Sequence, residues 1–172
     1  DWYMDGMRTI FPEAWEEFAH GIPEAERGNL LGAYHRRLTS RDDKEAIEAA
    51  LHWNAYESAC SSFFPQKDTI VSDDQRYYAL AMAKIEAHYF QTQIIPAERS
   101  LLNQIDAIRH IPGSIIHGRY DIICPMISAQ KLHAAWPEAD YVIVPDAGHS
   151  FLDPTIRSRL IEATDNGKSL RI

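Results

Sequence analysis

The sequence is poor in cysteine, short of cationic side chains and without a long apolar run, and each shortage closes off a class of protein. Its 172 residues include two cysteines, Cys60 and Cys124, far apart and outside any C-x-x-C spacing. That excludes a disulfide-built scaffold and a zinc ribbon, and it is in keeping with a reducing compartment. Lys and Arg total 17 against 25 Asp and Glu, a formal net charge of -8. Such a balance cannot neutralise a phosphate backbone, so nucleic acid is not an expected partner. No stretch approaches the ~20 apolar residues of a membrane span. No charged-then-apolar leader opens the chain. A soluble, cytoplasmic location with no membrane partner is the expectation. A glycine-rich phosphate loop and an H-E-x-x-H pair are both missing, and His110, His117 and His133 read as structural or surface residues. Neither a cofactor nor a metal is expected.

What the chain does contain is enough apolar material for a core, 45% of residues. It begins Asp1-Trp2-Tyr3-Met4, with large apolar side chains where termini usually carry small polar ones, so the first residue is expected to be a cut. Residues 1–108 read as helical. Pro12 and Pro23 each precede acidic residues, a pairing that suits a first helical turn because the missing N–H costs nothing there and negative charge complements the dipole. Longer helices are expected from Asp43 to Ser61, capped by Asp42 and Asp43, and from Ser72 to Gln91, capped by Ser72. Phe63 to Val71, with Pro65, reads as loop, and Ala97 to Ile108 as a last helical turn or two after Pro96.

Residues 109–172 differ in kind. Ser114-Ile-Ile-His117 and Tyr141-Val-Ile-Val144 are short β-branched runs bounded by Gly or Pro, as buried parallel strands are. Helical patterns follow each, Ile127 to Trp136 and Ile156 to Thr164. Two β-loop-α units in succession imply a right-handed α/β arrangement. Two strands alone make a poor sheet, so further strands are expected from outside the chain.

Ligands of open α/β sheets sit at the carboxyl ends of the strands. Asp121 follows the first strand and His149 the second, 28 residues on. An acid before a histidine, both at one sheet edge, can orient and stabilise an imidazole that moves a nucleophile's proton. The same residues could instead cap a helix and sit in a turn. No G-x-S-x-G is present, Ser114 begins a strand and Ser150 adjoins the histidine, so the nucleophile is expected from elsewhere. Two further carboxylates interrupt apolar stripes: Glu57 among Ala46, Ala50, Trp53 and Cys60, and Glu86 among Ala79, Met82, Ala83 and Phe90. A carboxylate on such a face is costly unless paired. Either both acids hold a cation such as a substrate ammonium, walled by Trp53, Tyr56, Tyr89 and Phe90, or they pair internally with Lys84, Arg36 or Arg37, or sit at an exposed stripe edge.

Several segments together carry a resemblance. They are Phe11-Pro-Glu-Ala-Trp-Glu-Glu17, Glu26-Arg-Gly-Asn-Leu-Leu31, Tyr34-His-Arg-Arg-Leu-Thr-Ser40, Ala83-Lys-Ile-Glu-Ala-His-Tyr-Phe90, Gly118-Arg-Tyr-Asp-Ile-Ile-Cys-Pro125, Ala134-Ala-Trp-Pro-Glu-Ala139 and Asp146-Ala-Gly-His-Ser150. Over nearly its whole length the chain resembles the C-terminal part of the proline iminopeptidases, serine aminopeptidases of the α/β-hydrolase fold. The resemblance implies a partial α/β hydrolase: a mainly α-helical cap over 1–108, then the last two parallel strands of the core, in two β-α units, over 109–172. It implies Asp121 and His149 as triad acid and base, and Glu57 and Glu86 as cap acids that hold the free amino terminus of a peptide beginning with proline. Tyr56, Lys84, Ala87 and Phe151-Leu-Asp-Pro154 depart from the family's usual residues and leave the acid–histidine pair intact. The nucleophile elbow and oxyanion loop would precede residue 1, so the chain alone is expected to be inactive and to need the N-terminal half of the hydrolase. The alternatives are a non-catalytic module that assembles with a partner or with itself through an open strand edge, and an aminopeptidase or amidase of broader range.

Overall fold

The computed structural model describes residues 2–61, 72–92 and 100–168. They form two compact units, one built from the helices through Cys60 together with the helix that starts at Asp73, the other from residue 100 onward together with Ser61. The change in sequence character near residue 109 therefore falls inside the second unit.

In the first unit a wide π-helical turn (Trp2–Gly6) and a 3-10 turn (Met7–Thr9) lead into α1 (Pro12–His20), with Pro12 at its first position and Glu13 in its first turn. Pro23 opens a 3-10 helix (Glu24–Asn29) rather than an α-helix. The run after it, α2 (Leu30–Leu38), has no proline or acidic opener and was not expected from the sequence. Its start is set by Asn29, whose Oδ1 accepts the Gly32 N–H at 2.9 Å. Its last turn is basic, and both Arg36 and Arg37 reach Glu26, at 2.6 to 3.0 Å. These three bonds, those from Arg37 foremost, hold the Glu26 carboxyl well below the usual range, at about 2.

Two long helices follow the expected bounds closely. α3 (Asp43–Ser61) begins where Asp42 Oδ1 accepts the Lys44 N–H, at 3.0 Å. α4 (Asp73–Thr92) begins with a reciprocal cap: Ser72 Oγ accepts from the Gln75 N–H and Gln75 Oε1 accepts from the Ser72 N–H. α2 packs against α4, and both bury small residues at that level of the chain: Gly32 and Ala33 on one, Ala79, Ala83 and Ala87 on the other. Met82, read from the sequence as part of the buried stripe, is exposed. The face α4 buries is rotated toward Leu80 and Ala87. The core is aromatic, with Trp53, Tyr34, Tyr56 and Phe18 fully buried beside Met7, Ile22 and Leu38. Phe18 and Tyr34 stack at 4.2 Å, and the Tyr34 hydroxyl donates to the Phe18 carbonyl at 2.6 Å.

The second unit starts with a 3-10 helix (Leu101–Ala107), within the helical turn or two expected up to Ile108, and then forms β1 (Ser114–Gly118), α5 (Met126–Ala135), β2 (Asp140–Val144) and α6 (Pro154–Gly167). β1 and β2 are parallel, paired from Ser114 with Asp140 to Gly118 with Val144. α5 and α6 both pack on β1. The core is small: Val144, Ala147 and Ile156, with Ile116 and Val142 against them. Ile127, Phe151, Leu152 and Ile161 stay more than half exposed. The loop expected over 63–71 lies outside the described residues. No helix among the described residues is long and apolar enough to cross a membrane.

Candidate active site

Parallel pairing in register brings both strands to an end at one sheet edge, and two loops leave from it together. Arg119 N–H donates to the Val144 carbonyl at 2.8 Å and Tyr120 N–H to the Ala147 carbonyl at 3.0 Å, so the loop after β1 is laced to the loop after β2. The approach is close enough to require glycine at position 118. A Cβ there would sit 2.0 Å from the Gly148 carbonyl oxygen and 2.6 Å from that of Ala147. The second loop is closed from its far end, where Asp153, just before α6, accepts the Gly148 N–H at 3.1 Å.

These bonds set Asp121 beside His149. Asp121 is 8% exposed, the one buried charged residue among the described residues. Its Oδ1 accepts the Cys124 N–H at 2.7 Å, and its Oδ2 lies 3.0 Å from His149 Nδ1. An ionised carboxylate only accepts, so Nδ1 carries the proton and Nε2 is the nitrogen left for chemistry. The bond to Asp121, with a further one to Cys124, pushes the His149 pKa up from 6.5 to about 10, against the opposing effect of burial. Asp121 thus faces the histidine through Oδ2, whereas the helix-capping alternative is not what the structure shows: α5 has Pro125 at its N-cap with no side-chain cap bond, and Oδ1 holds the Cys124 N–H in the loop before it. His117, read from the sequence as a structural or surface residue, lies against the same group. Its Nε2–H donates to the Cys124 carbonyl at 2.7 Å and is 3.5 Å from Asp121 Oδ2. The sequence signal was its place on β1, four residues before the acid. The Asp121, Cys124 and His149 ligand atoms all lie within 4.8 Å of one another, the group among the described residues that could hold a metal ion.

The carboxylates of the helical unit are held differently. Glu86 Oε2 accepts the indole N–H of Trp53 at 2.8 Å, so the charge on α4 is met by a neutral donor from α3. Arg36 and Arg37 are engaged by Glu26 instead. Trp53 stacks on Tyr3 at 5.2 Å, and Phe90 meets Tyr3 at 5.0 Å and Trp53 at 6.2 Å. Tyr56 meets Tyr3 edge-on at 5.4 Å. Burial, then the charges of Glu57 and Glu86, drive the Tyr3 phenol well above its usual pKa, so both acids bear on this cluster. Glu57 itself is half-buried on α3. Tyr89 does not join the aromatic group: it is 56% exposed, and its ring lies beside His88. Successive helical positions diverge by ~100°, so Phe90 and Tyr89 cannot both face the cluster. Tyr3 was missed from sequence because its only signal was an apolar start to the chain.

An acid and a histidine on consecutive loops at the carboxyl end of parallel strands define a class, and comparison with known proteins gives the same one. The family model for the alpha/beta hydrolase fold matches residues 4–154, and the chain belongs to that family. Within it, the chain is 42% identical over 165 residues to a proline iminopeptidase of Xylella fastidiosa, covering 95% of this chain and 53% of that protein. It is 43% identical over 173 residues to a proline iminopeptidase of Arabidopsis thaliana, covering 99% of this chain and 46% of that one. A probable proline iminopeptidase of Leptolyngbya boryana is 44% identical over 166 residues, 95% of this chain and 51% of its own. The chain spans about half the length of the curated relatives it matches.

Proposed function

We propose that these residues are the acid–histidine and amine-recognition portion of a serine aminopeptidase that releases N-terminal proline from peptides in a reducing, cytoplasmic compartment. The observation that carries the reading is the 3.0 Å bond between His149 Nδ1 and Asp121 Oδ2 on adjacent strand-end loops. In the neutral form of its ring, which the raised pKa makes the minor one near neutral pH, His149 Nε2 takes the proton of a serine hydroxyl supplied from outside the 172 residues and returns it to the leaving amine, while Asp121 fixes the tautomer and stabilises the imidazolium. Glu57 and Glu86 hold the substrate's ammonium group, with half-buried Phe90 as an apolar wall for the pyrrolidine ring, while fully buried Trp53 acts from behind by holding the Glu86 carboxylate. Tyr89 stands outside this group, because its ring lies beside His88 and not with the aromatic cluster.

The isolated chain, with no nucleophile elbow, is inactive on this reading. Assay of a proline anilide with the chain alone and with the chain joined to a serine-bearing N-terminal half tests it. Turnover by the chain alone would overturn the account. In the joined protein, Glu57→Gln and Glu86→Gln should raise KM for free-amine substrates and leave amine-blocked ones unchanged; equal effects on both would favour an amidase of broader range.

A second reading, in which the chain acts as a non-catalytic assembly module, draws on the two-stranded sheet and on the exposed apolar side chains of the same unit, Ile127, Phe151, Leu152 and Ile161. It predicts self-association that the joined protein lacks, measurable by light scattering.

A further inference from the structure

We propose that Asp121, Cys124 and His149 form a binding site for a thiophilic divalent cation of the zinc type. A carboxylate oxygen, a thiol sulfur and a ring nitrogen lie within 4.8 Å of one another. A tetrahedral zinc with ligands at ~2.0–2.3 Å holds its donor atoms ~3.3–3.7 Å apart, so small side-chain movements close the site. The donor set selects the metal: imidazole and thiolate suit zinc, cobalt and copper, whereas magnesium and calcium require oxygen ligands.

The loop between the first two ligands is already fixed. Cys124 N–H is bonded to Asp121 Oδ1 at 2.7 Å, and the Cys124 carbonyl is held by His117 at 2.7 Å. These bonds orient the ligands from behind, as outer-shell partners do in metal sites. Asp121 is buried, while the His149 side chain is 37% exposed and Cys124 is exposed, which leaves the metal a path from solvent and a fourth position for water. Cys60 does not compete, because it is buried in the helical unit and its thiol is pushed up to about 12.

Binding forms metal–sulfur, metal–nitrogen and metal–oxygen contacts and releases the thiol proton, and the proton on the ligating ring nitrogen, to solvent. An imidazole and carboxylate engaged this way cannot run proton transfer, so the cation and the hydrolytic chemistry exclude each other. The binding itself needs only the three side chains and does not rest on the aminopeptidase reading.

Cobalt(II) titration of the 172-residue chain tests the proposal. One equivalent should bind and give a near-ultraviolet sulfur-to-cobalt charge-transfer absorption that zinc displaces. Cys60→Ser should keep it, Cys124→Ser should abolish it, and His149→Gln should weaken binding by more than ~10-fold. A chain with native circular dichroism and no charge-transfer absorption would overturn the proposal. So would an absorption that Cys60→Ser removes, or one that His149→Gln leaves at full affinity.

Discussion

The helical unit and the α/β unit solve the problem of a charged group in a folded interior by opposite means. In the first, half-buried Glu86 is met by the neutral indole donor of Trp53, a member of a large aromatic core with Tyr3, Phe18, Tyr34 and Tyr56. In the second, Asp121 is more deeply buried than any other charged residue described, yet the apolar cluster near it is Val144, Ala147 and Ile156 with two partners. Bulk burial organises one of these surroundings and main-chain hydrogen bonds organise the other. Exact placement of an acid beside a histidine does not require a large core, only backbone donors and acceptors that fix both loops.

The sharpest way to break that comparison is to cut equivalent packing from each side. Trp53→Ala should cost about 3–5 kcal/mol and Val144→Ala about 1–2 kcal/mol, read from urea unfolding by circular dichroism. Equal losses would mean that the small cluster matters as much as the aromatic core. Next in size, Gly118→Ala forces a methyl group into the Gly148 carbonyl and should cost about 1–3 kcal/mol. Its imidazole titration, followed by NMR, should also move back toward the ordinary range. An unchanged titration would show that lacing between the loops does not position His149.

The pH behaviour of His149 separates the two units further. Its folded pKa is raised, so its contribution to stability is complete below about 6.5 and is lost as pH rises through about 10. In Asp121→Asn the imidazole should titrate lower and this dependence should shrink, an outcome that NMR of the ring protons reads directly. The helical unit should be indifferent to that change. The smallest effect belongs to a cap: Ser72→Ala removes the acceptor of the Gln75 N–H and should cost about 1 kcal/mol, visible as a shift in the unfolding midpoint.

Much of this was legible in the sequence where local signals agree with tertiary structure. Acid caps and Pro at first positions gave α1, α3 and α4, and β-branched runs gave the two strands because parallel strands bury both faces. The Asp121–His149 pairing was legible as an order and a spacing. What was not legible depended on partners distant in sequence. α2 carries its start in one Asn, the exposure of Met82 follows from packing between α2 and α4, and Tyr3 reaches Trp53 only after the chain folds back. His117 gave no motif, and its relation to Asp121 emerges only when the loop after β1 curls over its own strand.

The donor that aims Asp121 is the main-chain N–H of Cys124, which every residue except proline possesses. Aim of the acid is therefore independent of what side chain position 124 carries. An evolving lineage can gain or lose a thiol there without re-aiming the carboxylate. Cys124→Pro would end that freedom, while replacement by serine or alanine would leave the acid pointed at the imidazole.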